Sequence, residues 1–453
     1  MVGIGGAGMS GLARLARAAG YAVGGTDREE SATLAALRAE GVDARAGHAA
    51  AAVASDARAV VVSTAIAPDN PELAEARRRG LPVLHRSQLL AELMAGRRGL
   101  AVAGAHGKST TSAMLLSALG DASACVGATV AGGGGTGAVW GEGPWFVAEA
   151  DESDRSLLNL RPEGAILLNV DHDHHATYGS LAEVEEVFRA FVGALPPDGM
   201  LVVGPDERAR ACADAARCPV RLVGDVPGAF ARVERTPGRP GFDLLLPGGL
   251  REPVPLSLAG EHNATNAACA LALAEWCGVP IARAAARLEG FTGVGRRMEA
   301  RGTAGGVEVV DDYAHHPAEI RATLAAARER GAARVVVVFQ PHLPSRTRAL
   351  GPELAEALGA ADVAIVTEVY LAREPADPTV SGRDVAAGVP APARAVFAAT
   401  LAEAADAALA EVRPGDLLIT MGAGDVTGLG QELVRRLGRP SGDAGPGSEP
   451  PPT

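Results

Sequence analysis

The stretch Leu100-Ala101-Val102-Ala103-Gly104-Ala105-His106-Gly107-Lys108-Ser109-Thr110-Thr111 decides how the chain is read. Small apolar residues form a buried strand, two glycines turn the chain, and a helical stretch follows from Ser112 to Leu119. A strand that runs through a glycine turn into a helix points backbone N–H groups and a helix N-terminus at an anion, the context a phosphate loop requires. In that reading Gly104 to Thr110 cradle a nucleotide, Lys108 reaches its β- and γ-phosphates, and the Ser109 hydroxyl binds Mg²⁺. The spacing is a G-x-x-G-K-S variant, because Val102 stands where the full motif has its first glycine. The alternative is a glycine turn with a surface lysine, and the composition weighs against it. Lys108 is the single lysine among 42 cationic residues. A chain that has replaced lysine wherever arginine serves keeps it where a compact ammonium is needed and a planar guanidinium does not fit.

Working outward, short β-rich runs alternate with Ala/Leu/Arg helical patterns along the chain, which predicts an α/β protein with mainly parallel sheets. Its 453 residues suffice for two to four domains. A first unit over residues 1–96 has a glycine turn, a helix from Leu12 to Ala19, and strands near Ala22-Val23 and at Ala59 to Ser63. A second, over 97–293, holds the lysine loop, strands at Trp145 to Ala148 and Ala165 to Asn169, and a Pro/Gly-rich antiparallel insertion around 219–258. A third, over 294–437, carries strands at Val307 to Val310, Arg334 to Phe339, Val363 to Thr367 and Leu417 to Met421. Residues 438–453 have no core-forming pattern and read as a disordered tail. The net charge of −12 argues against nucleic acid or an anionic membrane as partner. No apolar run approaches a bilayer span, and Met1-Val2-Gly3 shows no secretory signal. Five cysteines without a C-x-x-C pair read as reduced thiols of a cytoplasmic protein.

Three further stretches carry chemistry. Glu149-Ala150-Asp151-Glu152-Ser153-Asp154 sets four carboxylates at the end of a buried strand; it is either a solvated acidic loop or a Mg²⁺ site beside the phosphate loop. Asn169-Val170-Asp171-His172-Asp173-His174-His175 closes the next strand, and it lacks the Cys or H-x₃-H partners of a zinc site. An oxygen-rich Mg²⁺ site with one imidazole fits it at least as well. Gly3-Ile4-Gly5-Gly6-Ala7-Gly8 matches a dinucleotide turn with Asp27 on the next strand, so an NAD-dependent dehydrogenase is a rival. Such a turn binds any diphosphate, and the dehydrogenase leaves the lysine loop idle. A non-catalytic nucleotide sensor leaves the acidic runs idle as well.

Taken in order, these motifs resemble the Mur ligase family. Gly3 to Gly11 (GIGGAGMSG) is similar to its opening signature, which implies a UDP-sugar site at Gly5, Gly6, Ala7, Gly8, Met9, Ser10 and Asp27, completed by Ser63, Thr64 and His85. The lysine loop resembles GTHGKTT, and Asp173-His174 resembles a D-H pair whose histidine binds magnesium; the Asp that often follows is Ala176 here. Glu261 to Ala268 resembles H-N-x-x-N-x-x-A, which implies His262, Asn263 and Asn266 near the adenine. Gly295 to Glu299 implies Arg297 at the ATP phosphates, and Asp311-Asp312-Tyr313-Ala314-His315-His316-Pro317 implies Asp312 at the ribose. Gln340-Pro341-His342 and Ser345 to Arg348 resemble Q-P-H-R-Y-T-R-T, with Leu343-Pro344 replacing Arg-Tyr. The family's first strand begins several residues before its glycine turn, so the resemblance implies either a start set too far downstream or a shortened strand that weakens the diphosphate site.

The resemblance implies a Rossmann-like UDP-binding domain, a P-loop ATPase-type domain and a Rossmann-like C-terminal domain. It also implies ATP and two Mg²⁺ ions as cofactors, with Ser109, Glu149 and His174 as metal ligands. The expected reaction joins L-alanine to the lactyl carboxylate of UDP-N-acetylmuramate through an acyl phosphate. Lys108, Glu149, His174, His342 and Arg346 are the expected catalytic residues. A sibling that attaches a preformed tripeptide is the nearest rival, and its acidic run favours Tyr at the Ser153 position. Other siblings hold a magnesium with a carbamylated lysine on the helix after the D-H pair; here Leu181 to Val192 carries Arg189 and no lysine, which points to the alanine-adding branch with His174 unaided.

Overall fold

The structure is a computed structural model that describes residues 1–130, 133, 135–174, 177–236, 238–372 and 374–438. Ala176 and all but the first residue of the expected tail lie outside them. The chain divides into two compact units, Met1–Gly295 and Arg296–Thr453.

The first unit is built on a seven-stranded sheet in the order Val220–Leu222, Met200–Val203, Gly164–Leu167, Arg98–Ala103, Trp145–Glu149, Ser123–Cys125, Ala138–Val139. All neighbours are parallel except the last pair. Arg98–Ala103 is central because Leu100 to Ala103 are fully buried and apolar on both faces, the pattern of a strand covered by helices on either side. One cover is the pair of helices Lys108–Leu119 and Glu261–Trp276, whose small residues Ala113, Ala118, Ala264, Ala267, Ala268 and Ala272 allow close packing. The antiparallel insertion comprises Arg232–Glu234, Phe242–Leu245 and Arg251–Val254. Within the expected stretch of residues 219–258, Val220 to Leu222 form the edge of the main sheet, pairing with Leu201 to Val203.

Residues preceding this sheet form two parallel strand pairs, Gly24–Asp27 with Asp43–Ala46 and Val60–Val62 with Val83–His85. Met1 and Val2 join them: the Thr26 N–H donates to Met1 O at 3.0 Å and the Val2 N–H to Val61 O at 2.9 Å. The helix after the glycine turn spans Ala7–Ala18 and so begins five residues before the expected Leu12. Gly6 caps it, so the second half of the glycine motif is already helical. The strand expected near Ala22-Val23 is Gly24–Asp27.

The second unit is a six-stranded sheet in the order Glu299–Ala304, Val307–Asp312, Leu417–Met421, Val335–Phe339, Val363–Thr367, Arg394–Ala398. Only the first pair is antiparallel, with a bulge between Ala300 and Gly302. Helices Pro317–Glu329 and Pro344–Leu358 cover one face, and Leu401–Glu411 and Leu429–Leu437 the other. No helix among the described residues is long and apolar enough to cross a membrane.

Candidate active site

Three neighbouring strands of the first sheet, Arg98–Ala103, Trp145–Glu149 and Gly164–Leu167, end on the same edge, so the lysine loop, the acidic run and the Asp171–His174 segment emerge side by side. Ligands of parallel α/β sheets bind beyond such carboxyl ends. The helix begins at Lys108 itself, earlier than the expected Ser112, because Gly107 adopts φ +84° and turns the chain directly into it. Only glycine takes that conformation without strain, and a Cβ there would lie 3.0 Å from Asn266 Nδ2. Asn266 is thereby placed beneath the loop. Asn169 braces it from the other side, accepting from the His106 N–H at 2.8 Å and donating to His106 O at 3.1 Å. The His106 ring meets the Asp171 carboxylate at 3.2 Å.

The carboxylates of the acidic run divide among several neighbours, with Asp151 and Asp154 sharing Arg86. Glu149 accepts from the Ser109 hydroxyl at 2.9 Å and from the Gly127 N–H at 2.6 Å. Asp151 accepts from Arg86 at 2.7 Å. Glu152 is buried; its Oε1 accepts from Lys108 Nζ at 3.1 Å and lies 3.2 Å from His174 Nε2, while Oε2, 2.8 Å from the Lys108 ammonium, has no hydrogen-bond partner among the described residues. Asp154 lies 3.5 Å from Arg86 and 3.6 Å from His85 Nε2. Lys108 Nζ also donates to Gly104 O at 2.8 Å and Ala105 O at 3.0 Å. Burial works against the Lys108 charge, but the carboxylates of Glu152, Glu149 and Asp151 outweigh it and hold the ammonium well above its ordinary range. Burial likewise opposes ionisation of Asp151, and Arg86 and Lys108 reverse the effect and keep it far below the usual carboxylate range.

Mg²⁺ takes oxygen ligands at about 2.1 Å in an octahedron, whose cis ligands are therefore about 3 Å apart. The 2.9 Å separation of Ser109 Oγ and Glu149 Oε2 matches that edge, and both are hard oxygen donors. The residues present thus fit a magnesium ion.

The glycine turn of residues 3–8 is held by Asp27, which accepts from the Gly5 N–H at 2.8 Å. A Cβ on Gly5 would come within 2.9 Å of that carboxylate. Gly6 caps the helix Ala7–Ala18 with no side-chain partner, leaving first-turn N–H groups for an anion, and Gly8 faces open space. Met9 and Ser10 point into the core, and the Ser10 hydroxyl donates to Ala7 O at 3.1 Å. Ser63 and Thr64 follow the strand Val60–Val62 in a turn whose Ile66 packs against Gly3. His85 caps the helix Arg86–Ala95, and burial lowers its pKa. His262 and Asn263 open the helix Glu261–Trp276, where Asn263 donates to Ala259 O at 2.7 Å.

In the second unit Asp312 is buried and accepts from Met298 N at 2.8 Å, Ala314 N at 2.9 Å and Thr323 Oγ1 at 3.0 Å. Burial raises its pKa, partly offset by Arg297. Arg297 pairs with Glu319 at 3.2 Å and lies over the Tyr313 ring. His342 and Arg346 come together at 3.1 Å, with the His342 ring stacked on Tyr370. The Leu343-Pro344 departure is a helix start: Leu343 is the cap of Pro344–Leu358 and proline takes its first position. The buried Asp311, which sequence reasoning passed over for Asp312, accepts from Thr420 at 2.7 Å, Thr427 at 2.7 Å and Arg301 at 3.1 Å. Arg86 was missed, and Asp151 and Glu152 were read only as members of an acidic run, because the Arg86–Asp151 and Lys108–Glu152 pairs join residues 65 and 44 positions apart.

Comparison with known proteins agrees with this picture. Family models match in chain order: the Mur ligase family catalytic domain at residues 1–98, the Mur ligase middle domain at 141–274 and the Mur ligase glutamate ligase domain at 296–424. The chain is similar to the UDP-N-acetylmuramate–L-alanine ligase of Streptomyces griseus, 45% identical over 96% of each chain. The enzyme of that name from Kineococcus radiotolerans is 47% identical over 96% of this chain and 95% of its own. Among solved structures, UDP-N-acetylmuramate-alanine ligase MurC of Thermotoga maritima superposes with a TM-score of 0.79 at 28% identity, covering 96% of this chain and 97% of that one. A murein peptide ligase from Psychrobacter arcticus gives 0.71 at 26% identity, covering 96% and 98%. With the three domains present in order and relatives of this identity aligned over nearly its whole length, the chain belongs to the Mur ligase family.

Proposed function

We propose that this ligase joins L-alanine to the lactyl carboxylate of UDP-N-acetylmuramate, driven by ATP, in peptidoglycan precursor synthesis. The observation that carries the reading is the gathering of Lys108, Ser109, Glu149 and His174 at one sheet edge, in a chain that aligns with relatives named for that activity over nearly their full length. In this mechanism the carboxylate attacks the γ-phosphate to give an acyl phosphate, and the neutral amine of L-alanine then displaces phosphate. Lys108 and Arg297 neutralise the transferring phosphoryl group. Ser109, Glu149 and His174 hold two magnesium ions, which supply Lewis-acid stabilisation of phosphate charge. His342 and Arg346 orient the carboxylate and the developing oxyanion. Gly104 to Thr110, His262, Asn263, Asn266 and Asp312 bind ATP; Gly5 to Gly8, the backbone of Met9 and Ser10, Asp27, Ser63, Thr64 and His85 bind the UDP-sugar. Five unpaired cysteines support a cytoplasmic location.

The test is phosphate release with ATP, Mg²⁺ and UDP-N-acetylmuramate, to which L-alanine, glycine, L-serine or the tripeptide L-Ala-γ-D-Glu-meso-diaminopimelate is added. Release that depends on L-alanine is expected. Release only with the tripeptide would move the protein to the sibling reaction, and release independent of any acceptor would end the ligase reading.

A further inference from the structure

Glu152 stands apart from the other acids of its run. It is 2% exposed, and its carboxylate faces two side chains only, Lys108 and His174, among the contacts described. A buried carboxylate is tolerated only where cations or donors satisfy it, so its place here is maintained by those two partners. They are also the side chains that the proposed mechanism assigns to phosphate and to metal. A nucleotide phosphate that engages Lys108 competes directly with Glu152 for the same ammonium, because Nζ already spends its N–H bonds on Glu152, Gly104 O and Ala105 O. Once Lys108 turns to phosphate, Glu152 keeps a negative charge in a buried position beside His174 Nε2. That charge calls for a new cation. The 3.2 Å between Glu152 Oε1 and His174 Nε2 is close to the cis-ligand spacing of an octahedral divalent ion, about 3 Å. Nothing else described fills this need: Arg189, on the helix Leu181–Gly193, pairs with Glu185 at 3.0 Å on a half-exposed face.

We propose that Glu152 is a positioning residue that changes partner: it is the counter-ion of Lys108 until a nucleotide phosphate takes the lysine, and it then joins His174 as a ligand for a divalent cation. Glu152 thereby makes nucleotide binding and metal binding interdependent, and His174 does not hold the ion alone. This rests on the ATP–magnesium reading above.

The experiment is calorimetric titration of the full chain with the non-hydrolysable β,γ-imido analogue of ATP, with EDTA and with Mn²⁺, for wild type, Glu152→Gln and Glu152→Asp. Electron paramagnetic resonance of bound Mn²⁺ is recorded in parallel, and circular dichroism checks folding. In Glu152→Gln the lysine is free of its anionic competitor, so metal-free nucleotide should bind about 10-fold more tightly. The strengthening of nucleotide binding by Mn²⁺ should fall by about 10- to 100-fold, with one fewer Mn²⁺ bound per nucleotide. Glu152→Asp keeps the charge and should resemble wild type in metal-free affinity. Wild-type values in Glu152→Gln would overturn the proposal, as would an Asp variant that behaves like Gln. If wild type itself binds no nucleotide with Mn²⁺, the ATP reading fails and this inference with it; if wild type binds and the variants match it, only the inference fails.

Discussion

Replacing Lys108 by arginine tests the site most directly, because it preserves charge and changes only shape. Three acceptors converge on the single Nζ atom: Gly104 O at 2.8 Å, Ala105 O at 3.0 Å and Glu152 Oε1 at 3.1 Å. An ammonium has three N–H bonds to give from one nitrogen, whereas no guanidinium nitrogen has more than two, and they lie in a plane. The lysine side chain is also only 13% exposed, so the larger head overpacks a closed loop at about 1–3 kcal/mol. The charge on Glu152 stays paired, and the protein should fold with a modestly lowered Tm. Turnover should fall by about 10³-fold or more, since a mispositioned charge donor at a reacting phosphoryl group costs about 10²–10³ by itself and a misplacement of about 1 Å adds a further factor. Lys108→Met separates the two roles: it strands a buried carboxylate at about 3–5 kcal/mol and should lower the Tm far more. The assays are phosphate release at saturating substrates and thermal melting. A folded Lys108→Arg protein with near-wild-type turnover would refute the argument that this position demands an ammonium.

Ser109→Ala removes the hydroxyl that Glu149 accepts from at 2.9 Å; the Mg²⁺ concentration for half-maximal rate should rise about 10-fold or more, with stability changed by about 1 kcal/mol, and Ser109→Thr should retain activity. Gly5→Ala puts a Cβ 2.9 Å from the Asp27 carboxylate, so the KM for UDP-N-acetylmuramate should rise several-fold in steady-state assays while the KM for ATP is unchanged. Arg86→Ala deletes the partner of Asp151, whose pKa is depressed in the folded state by Arg86 and Lys108 against the effect of burial. A depressed carboxylate stabilises above its unfolded pKa of about 4 and loses that contribution as pH falls through the folded value. Urea denaturation should therefore show a deficit of about 1–2 kcal/mol at pH 7, discounted for a pair that is roughly one-third exposed, that shrinks steadily below about pH 4. A deficit constant down to pH 2 would show that the loss is not electrostatic.

The strand–loop–helix at residues 98–119 was legible from its residues because every signal in it is local: a run of small apolar residues, two glycines and a solitary lysine. The same holds for the alternation that predicts parallel sheets, and for the Pro/Gly-rich insertion between them. What a linear reading could not supply was direction. The strand ends at Glu149 and the chain turns at Ser153-Asp154, so Glu149, Asp151, Glu152 and Asp154 look alike in sequence and yet meet Ser109, Arg86, Lys108 and His85 in space. Of the paired aspartates, sequence resemblance pointed to Asp312, while the carboxylate of Asp311 accepts from four side chains, Arg296, Arg301, Thr420 and Thr427. Helix starts were misread by four or five residues because Gly6 and Gly107 act as caps without polar side chains. By itself the sequence determined the fold class, the family and the loop around Lys108, since these rest on short-range pattern and composition. Only the tertiary structure decided which carboxylate meets the lysine, because that depends on three strands ending at one edge and on the direction each side chain leaves it.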